Sequence, residues 1–475
     1  MLFCSQEFIL FFLGVFILYW SVPWKQARVG ILLVASFVFY ASWNHWLAIL
    51  IVVTSTMDYL IALRMDCCKR PTRRKILLGL SIGTNLGVLC YFKYANFFLS
   101  SIEDALRAFG SSTSMPLLKV MVPLGISFYT FEAISYAVDV YGGKIKAERN
   151  LAHFMLFILF FPHLIAGPIV RGGDFLPQVR RKKRWNWLRI NFGLQLFVLG
   201  MFKKIAIGDQ LAKFVDMVYA DPTAFSAPVL WLAVAAFAVQ LYCDFSGYSD
   251  MALGTAHLLG YRLTWNFNLP FLATSMAEFW RRWHISLSNW IRDYIYIPLG
   301  GSRGSAWFNC RNLMLAMIFC GLWHEATAHD LVFGIVQGAI LIACRQFRSW
   351  YKQRPAVCAF LDSRIGTACS IAFTLFIFSL SLIFFRTPNM STAWSMFHGL
   401  FGLGALGTIP KFNYMLLACL FVIFGIGHWL AQGQRWRRMV DSMPAVAVGT
   451  GYTVVATAAL ILAPGLAKQF IYFQF

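Results

Sequence analysis

The sequence predicts an all-α polytopic membrane protein, with about 11 spanning helices plus re-entrant and interfacial amphipathic pieces. Three observations predict it. Of 475 residues, 59% are hydrophobic and only 13% charged, more apolar surface than an aqueous exterior can hide. Apolar runs of bilayer-spanning length recur along the chain. The 41 lysines and arginines, against 20 aspartates and glutamates, gather in the connections between those runs. Mean hydropathy is +0.63 and no stretch resembles an aqueous domain, so residues 1–475 read as a single membrane-embedded domain.

Runs at 2–20, 29–43, 46–63, 76–98 and 120–141 form the first five predicted helices. No basic residue precedes the first run and no small-residue cleavage site follows it, so it reads as a retained helix. The run 151–170 is broken by Phe161-Pro162-His163 and Gly167-Pro168. That punctuation predicts a bent or re-entrant segment, tolerable only where protein covers the freed backbone. Further runs lie at 188–207 and 229–243, the latter extending to 259. Two short arms, 312–322 and 331–344, precede closing runs at 365–385, 412–430 and 445–463. Gly142-Gly143, Gly300-Gly301 and the glycines of 402–407 mark turns.

Basic clusters occupy 64–75, 171–189, 281–303, 345–354 and 435–438. With the N-terminus outside, the major ones share one face, as the positive-inside rule requires. Recruitment of an anionic partner, such as a phosphorylated acyl donor or an acidic carrier, is the alternative reading of one cluster. Lys203 and Lys204, near the outer end of their helix, do not fit the scheme. No basic patch interleaved with aromatics sits on a soluble element, which argues against nucleic-acid binding. The 11 cysteines are scattered without a CxxC pair and imply no disulfide framework.

Residues 278–297 carry a helical period. Trp280, Trp283, Leu287, Trp290, Ile291 and Tyr294 share one sector of about 100°, with Arg281, Arg282, Asn289, Arg292 and Asp293 opposite. This pattern predicts a continuous interfacial helix. His284 falls at the margin of the apolar stripe, either as a hydrogen-bonded structural residue or as a catalyst.

His324 lies between the two short arms. Each arm is shorter than the about 20 residues a span requires, so the hairpin would hold this imidazole at membrane depth. An ionisable group there is costly and marks function. A zinc motif would place a second histidine four residues on, but His329 is five away, and no metal site is expected. A packed core histidine and a general base remain. Neutral imidazole suits proton abstraction near pH 7. No GxSxG elbow or Walker loop is present, which leaves direct acyl transfer to an alcohol. Glu325 is adjacent in chain and does not share the helical face of His324.

Several stretches together resemble a known family. They are EFWRRWHISLSNWIRDYIYIPLGGSR (278–303), GLWH (321–324), PLGISFYTF (123–131), FPHLIAGP (161–168) and YCDFSGYSD (242–250). The chain resembles membrane-bound O-acyltransferases, and within them the alginate O-acetyltransferase branch, over residues 123–337. The resemblance implies that family's helical fold around a cavity that thins at the membrane centre, where His324 would be reachable from both sides. It implies acetyl transfer from a cytoplasmic donor, acetyl-CoA or an acyl carrier, toward an extracytoplasmic polysaccharide. It implies no tightly bound cofactor, a periplasmic acyltransferase partner and a cell inner membrane location. By similarity His324 matches the catalytic histidine and His284 the second histidine of the active region. Trp323, Asp244, Asp250, Arg281, Arg282, Asn289 and Arg292 are candidate substrate-binding residues. One departure stands out: relatives continue Trp-His-Gly, and Glu325 replaces that glycine. A polysaccharide or lipid-linked sugar flippase is the competitor from another class, since broken helices suit transporters. D-alanyl transfer to teichoic acid is the competitor within the enzyme class.

Overall fold

A computed structural model describes residues 1–111, 114–118, 122–165, 167–325, 327–402 and 407–461. The start of run 120–141, the end of run 445–463 and Gly404 of the glycine turn lie outside these residues. Among the described residues the backbone is helical with no strand, apart from an isolated bridge between Phe225 and Thr408. Lipid demands this, because it offers no partner for an unpaired amide.

The chain opens with α1 (Gln6–Ser21), α2 (Lys25–Ala41), α3 (His45–Cys67) and α4 (Pro71–Leu89). A π turn at Cys90–Tyr94 leads into α5 (Ala95–Ala108), and α6 (Ile126–Tyr141) follows. Next come α7 (Leu151–Leu159), α8 (Phe161–Leu164), α9 (Gly172–Arg180) and α10 (Trp187–Phe202). After a second π turn, Lys203–Gly208, the chain continues as α11 (Asp209–Ala220) and the 32-residue α12 (Ala227–Leu258). Then come α13 (Met276–Arg282), α14 (Ile285–Ile291), α15 (Ala306–His324) and α16 (Ala328–Tyr351). The remainder is α17 (Pro355–Asp362), α18 (Arg364–Arg386), α19 (Met390–Leu400), α20 (Tyr414–Ala431), α21 (Arg435–Asp441) and α22 (Ala445–Ile461). Polar residues cap many starts: Ser5, Asn44, Asn150, Ser305, Thr327, Ser363 and Asn413 each accept an orphan amide of the first turn.

Seven described helices are long and apolar enough to cross a membrane: His45–Cys67, Pro71–Ala108, Trp187–Ala220, Ala227–Leu258, Ala328–Tyr351, Arg364–Arg386 and Tyr414–Ala431. The chain is therefore a multi-pass membrane protein. The predicted runs at the positions of α1, α2 and α6 form helices of 16, 17 and 16 residues.

The described residues form two compact units, Met1–Phe197 with Ala252–Thr264, and Val198–Met251 with Trp265–Phe475. In the first unit the predicted break is present: α7 stops before Phe160, and α8 carries Pro162 in its first turn. The backbone freed there is buried and satisfied, since the Phe161 amide donates to Ser36 Oγ at 3.1 Å. Phe8, Phe39 and Phe161 cluster around it, with ring centroids 5.7 to 6.4 Å apart.

The second unit corrects two expectations. The arms around His324 are not short: α15 has 19 residues and α16 has 24. Caps at Ser305 and Thr327 start both helices beyond the strictly apolar stretches, so arm length does not place His324 at mid-membrane. The two helices pack closely because Gly321 and Gly334 face each other's backbone; a Cβ on Gly321 would collide with Asp330 O. The second correction is that residues 278–297 are not one helix. The chain breaks at Trp283-His284, and beyond it Leu287, Trp290 and Ile291 of the apolar stripe are buried in protein while Tyr294 is half-buried.

Candidate active site

The site grows from α12, whose residues 236–256 are all buried. Gly200 and Gly247 admit a close approach of α10 to α12, since a Cβ on Gly247 would lie 2.6 Å from Gly200 O. The π turn that follows α10 brings two lysines against α12 aspartates. Lys203 Nζ donates to Asp250 Oδ2 at 2.7 Å. Lys204 Nζ donates to Asp209 Oδ1 at 2.8 Å and pairs with Asp244 Oδ1. Asp244 and Asp250, predicted to line a substrate path, are thus held in ion pairs. These pairs also explain Lys203 and Lys204, which the one-sided charge scheme could not place. Buried charges persist only when paired in this way.

His284 occupies the break between α13 and α14 with its backbone in the left-handed region, φ 41 and ψ 53. A non-glycine residue there is strained and persists only when its surroundings impose it. The surroundings are visible. Asn268 N donates to Arg282 O at 2.9 Å, and Ile285 N donates to Asn266 O at 2.9 Å, bracketing Trp283-His284. Phe267 packs between them, its ring 5.1 Å from Trp283 and 5.0 Å from Phe245. The His284 side chain is fully buried, with Phe245 edge-on at 4.7 Å. Burial drives its imidazole down to about 3, so it is neutral at physiological pH.

His324 is the last residue of α15, followed by Glu325 in extended conformation. Trp323 links the two histidines: its ring centroid lies 5.8 Å from His284 and 4.9 Å from His324. Phe385 of α18 closes the far side of His324 at 5.3 Å. Relative exposure falls from 8% at His324 to 2% at Trp323 and 0% at His284, so His324 is the least enclosed of the three. His329, also buried, hydrogen-bonds through Nδ1 with Phe384 O at 3.1 Å, and Asp330 caps α16 with Thr327.

The other predicted residues disperse. Arg282 forms an ion pair with Glu278 at 2.6 Å. Arg292 pairs with its neighbour Asp293 at 2.7 Å, while Arg281 is exposed and Asn289 half-buried. A cleft of about 440 Å³, lined in part by Ala306, Arg345 and Trp350, lies at the opposite ends of α15 and α16 from His324. Sequence reasoning missed Asn266, Phe245 and Phe385. Phe245 lies within the stretch 242–250 but nothing there singles it out, and no local pattern marks Asn266 or Phe385, because all three act through contacts distant in the chain. No cluster of three or more metal-ligating side chains occurs among the described residues.

A model of the membrane-bound O-acyltransferase family matches residues 84–386, which contain every residue of this site. The probable alginate O-acetylase AlgI of Pseudomonas aeruginosa is 38% identical over 409 residues, 85% of this chain and 75% of that protein. The peptidoglycan O-acetyltransferase of Helicobacter pylori is 32% identical over 405 residues, 79% of this chain and 74% of that protein. The teichoic acid D-alanyltransferase of Bacillus subtilis is 26% identical over 243 residues, 48% of this chain and 60% of that protein.

Proposed function

The chain belongs to the membrane-bound O-acyltransferase family, and on that premise we propose an acetyl transferase acting on an extracytoplasmic polysaccharide. The donor is a cytoplasmic thioester, acetyl-CoA or an acyl carrier. His324 removes the proton of the acceptor hydroxyl as its oxygen attacks the acyl carbon. The C–S bond then breaks, and the departing thiolate takes the proton back from the imidazolium. His284, kept neutral by burial, is the positioning or charge-stabilising partner of His324 and acts through Trp323. Trp323 spaces the two rings.

The observation that carries this reading is the aromatic bridge joining two buried imidazoles, His324 being the less completely enclosed. Arg281 and Arg292, with exposed side chains, attract an anionic donor, helped by Arg282 and Asn289. Asp244 and Asp250 contribute through the lysines they hold. The setting is the inner membrane, with an extracytoplasmic acyltransferase partner receiving the group. The longer and closer matches are to O-acetyl transferases, which favours acetyl over D-alanyl transfer. Labelled acetyl-CoA supplied to membranes carrying the protein tests the proposal. Label should reach an acceptor with the parent chain and not with His324→Ala at equal expression. Solute movement without acyl transfer would favour the flippase reading instead.

A further inference from the structure

The two non-glycine residues with positive φ among the described residues are Leu269, φ 47, and His284, φ 41. They are not scattered. Both belong to the bracket in which residues 266–269 run along the break between α13 and α14. Its centre is Asn266, 1% exposed, whose groups reach three different places. The backbone oxygen accepts from Ile285 N, the residue after His284, at 2.9 Å. The side-chain Oδ1 accepts from Ser286 Oγ at 2.6 Å and from the Ser286 amide at 3.4 Å. Nδ2 donates to Ser249 Oγ at 3.2 Å, on the α12 turn next to the Asp250–Lys203 ion pair.

We infer that Asn266 is a positioning residue for His284: it fixes the left-handed backbone at the break to the rigid α12, and so aims the imidazole toward Trp323. This inference rests on the catalytic reading of His284. The physical case is that the amides of Ile285 and Ser286 belong to the first turn of α14 and need acceptors. An N-cap side chain would ordinarily supply one, but His284 makes no cap hydrogen bond. Asn266 supplies both from outside the helix. Left without it, residue 284 would relax toward an ordinary capping conformation and its ring would swing away. A misplacement of about 1 Å costs on the order of 100-fold in rate.

The test uses the full chain in membranes with labelled acetyl-CoA, with each variant normalised to its folded, inserted amount. Asn266→Ala should lower kcat by about 10- to 100-fold while leaving the KM for acetyl-CoA within about twofold. Ser286→Ala, which removes one hydrogen bond and leaves Asn266 in place, should lower kcat by a smaller factor of about 3 to 10. It serves as the second variant should Asn266→Ala fail to accumulate. On the residual transfer of His284→Ala, adding Asn266→Ala should change kcat by no more than about twofold, because two residues acting as one unit are non-additive. Wild-type kcat in both Asn266→Ala and Ser286→Ala, or full additivity with His284→Ala, overturns the inference while the catalytic reading of His284 stands. Wild-type kcat in His284→Ala itself overturns that reading instead.

Discussion

His284 and His324 are both buried beside Trp323, yet they are held in opposite ways. His284 is fixed by its backbone, with bracketing hydrogen bonds on either side and no exposure. His324 ends a helix, faces Phe385 and keeps 8% exposure. Strain and complete burial suit a group that orients and stabilises. A helix end with residual access suits a group that must meet a hydroxyl and exchange a proton. The contrast teaches that two imidazoles on one tryptophan need not share the chemistry.

Variants can break or sharpen that contrast. His324→Ala should cost on the order of 10⁴-fold in acyl transfer, the upper range for loss of a general base, with expression intact. Lys204→Met should destabilise the second unit by about 3–5 kcal/mol, because it leaves Asp209 and Asp244 buried without their cation. Thermal melts in detergent would show it, and an unchanged melt would mean the ion pairs do not anchor α12. His284→Ala should cost about 100-fold, less than His324→Ala, as expected for a partner that supports the base through Trp323. Equal losses at the two positions would erase the division of labour.

The smallest effect is a pH dependence. The folded imidazole of His284 lies at about 3, below an unfolded value of about 6.5. Between those values the folded protein binds fewer protons than the unfolded chain. The contribution is therefore complete above about pH 6.5 and declines as pH falls, by at most about 1.4 kcal/mol per pH unit. Melts of the parent between pH 7 and 5 should fall more steeply than those of His284→Gln. Parallel slopes would show that His284 is already charged or solvated in the fold.

Much of this arrangement is legible in the chain itself. Phe161-Pro162 marks its own break, since proline interrupts a helix and restricts the residue before it. Trp323-His324 is visible as an ionisable group between apolar stretches. The break at Trp283-His284 is not visible, because no glycine or proline marks it and α13 and α14 both keep the helical period. It exists because Asn266 and Asn268 impose it from outside. The first arm of the hairpin looks short because Asn309 and Arg311 interrupt the apolar pattern ahead of Asn312. In the fold Asn312 Nδ2 donates to Gly301 O and the helix runs on through them. Lys203 and Lys204 announce a conflict without its solution, since their partners Asp250 and Asp244 lie far along the chain on another helix.

The most direct measurement is single-turnover transfer of labelled acetyl from acetyl-CoA by membranes carrying either the parent chain or His324→Ala, matched for folded protein. Rapid labelling of an acceptor by the parent and none by the variant is the predicted result. Equal labelling by both would contradict the assignment of His324 as the base.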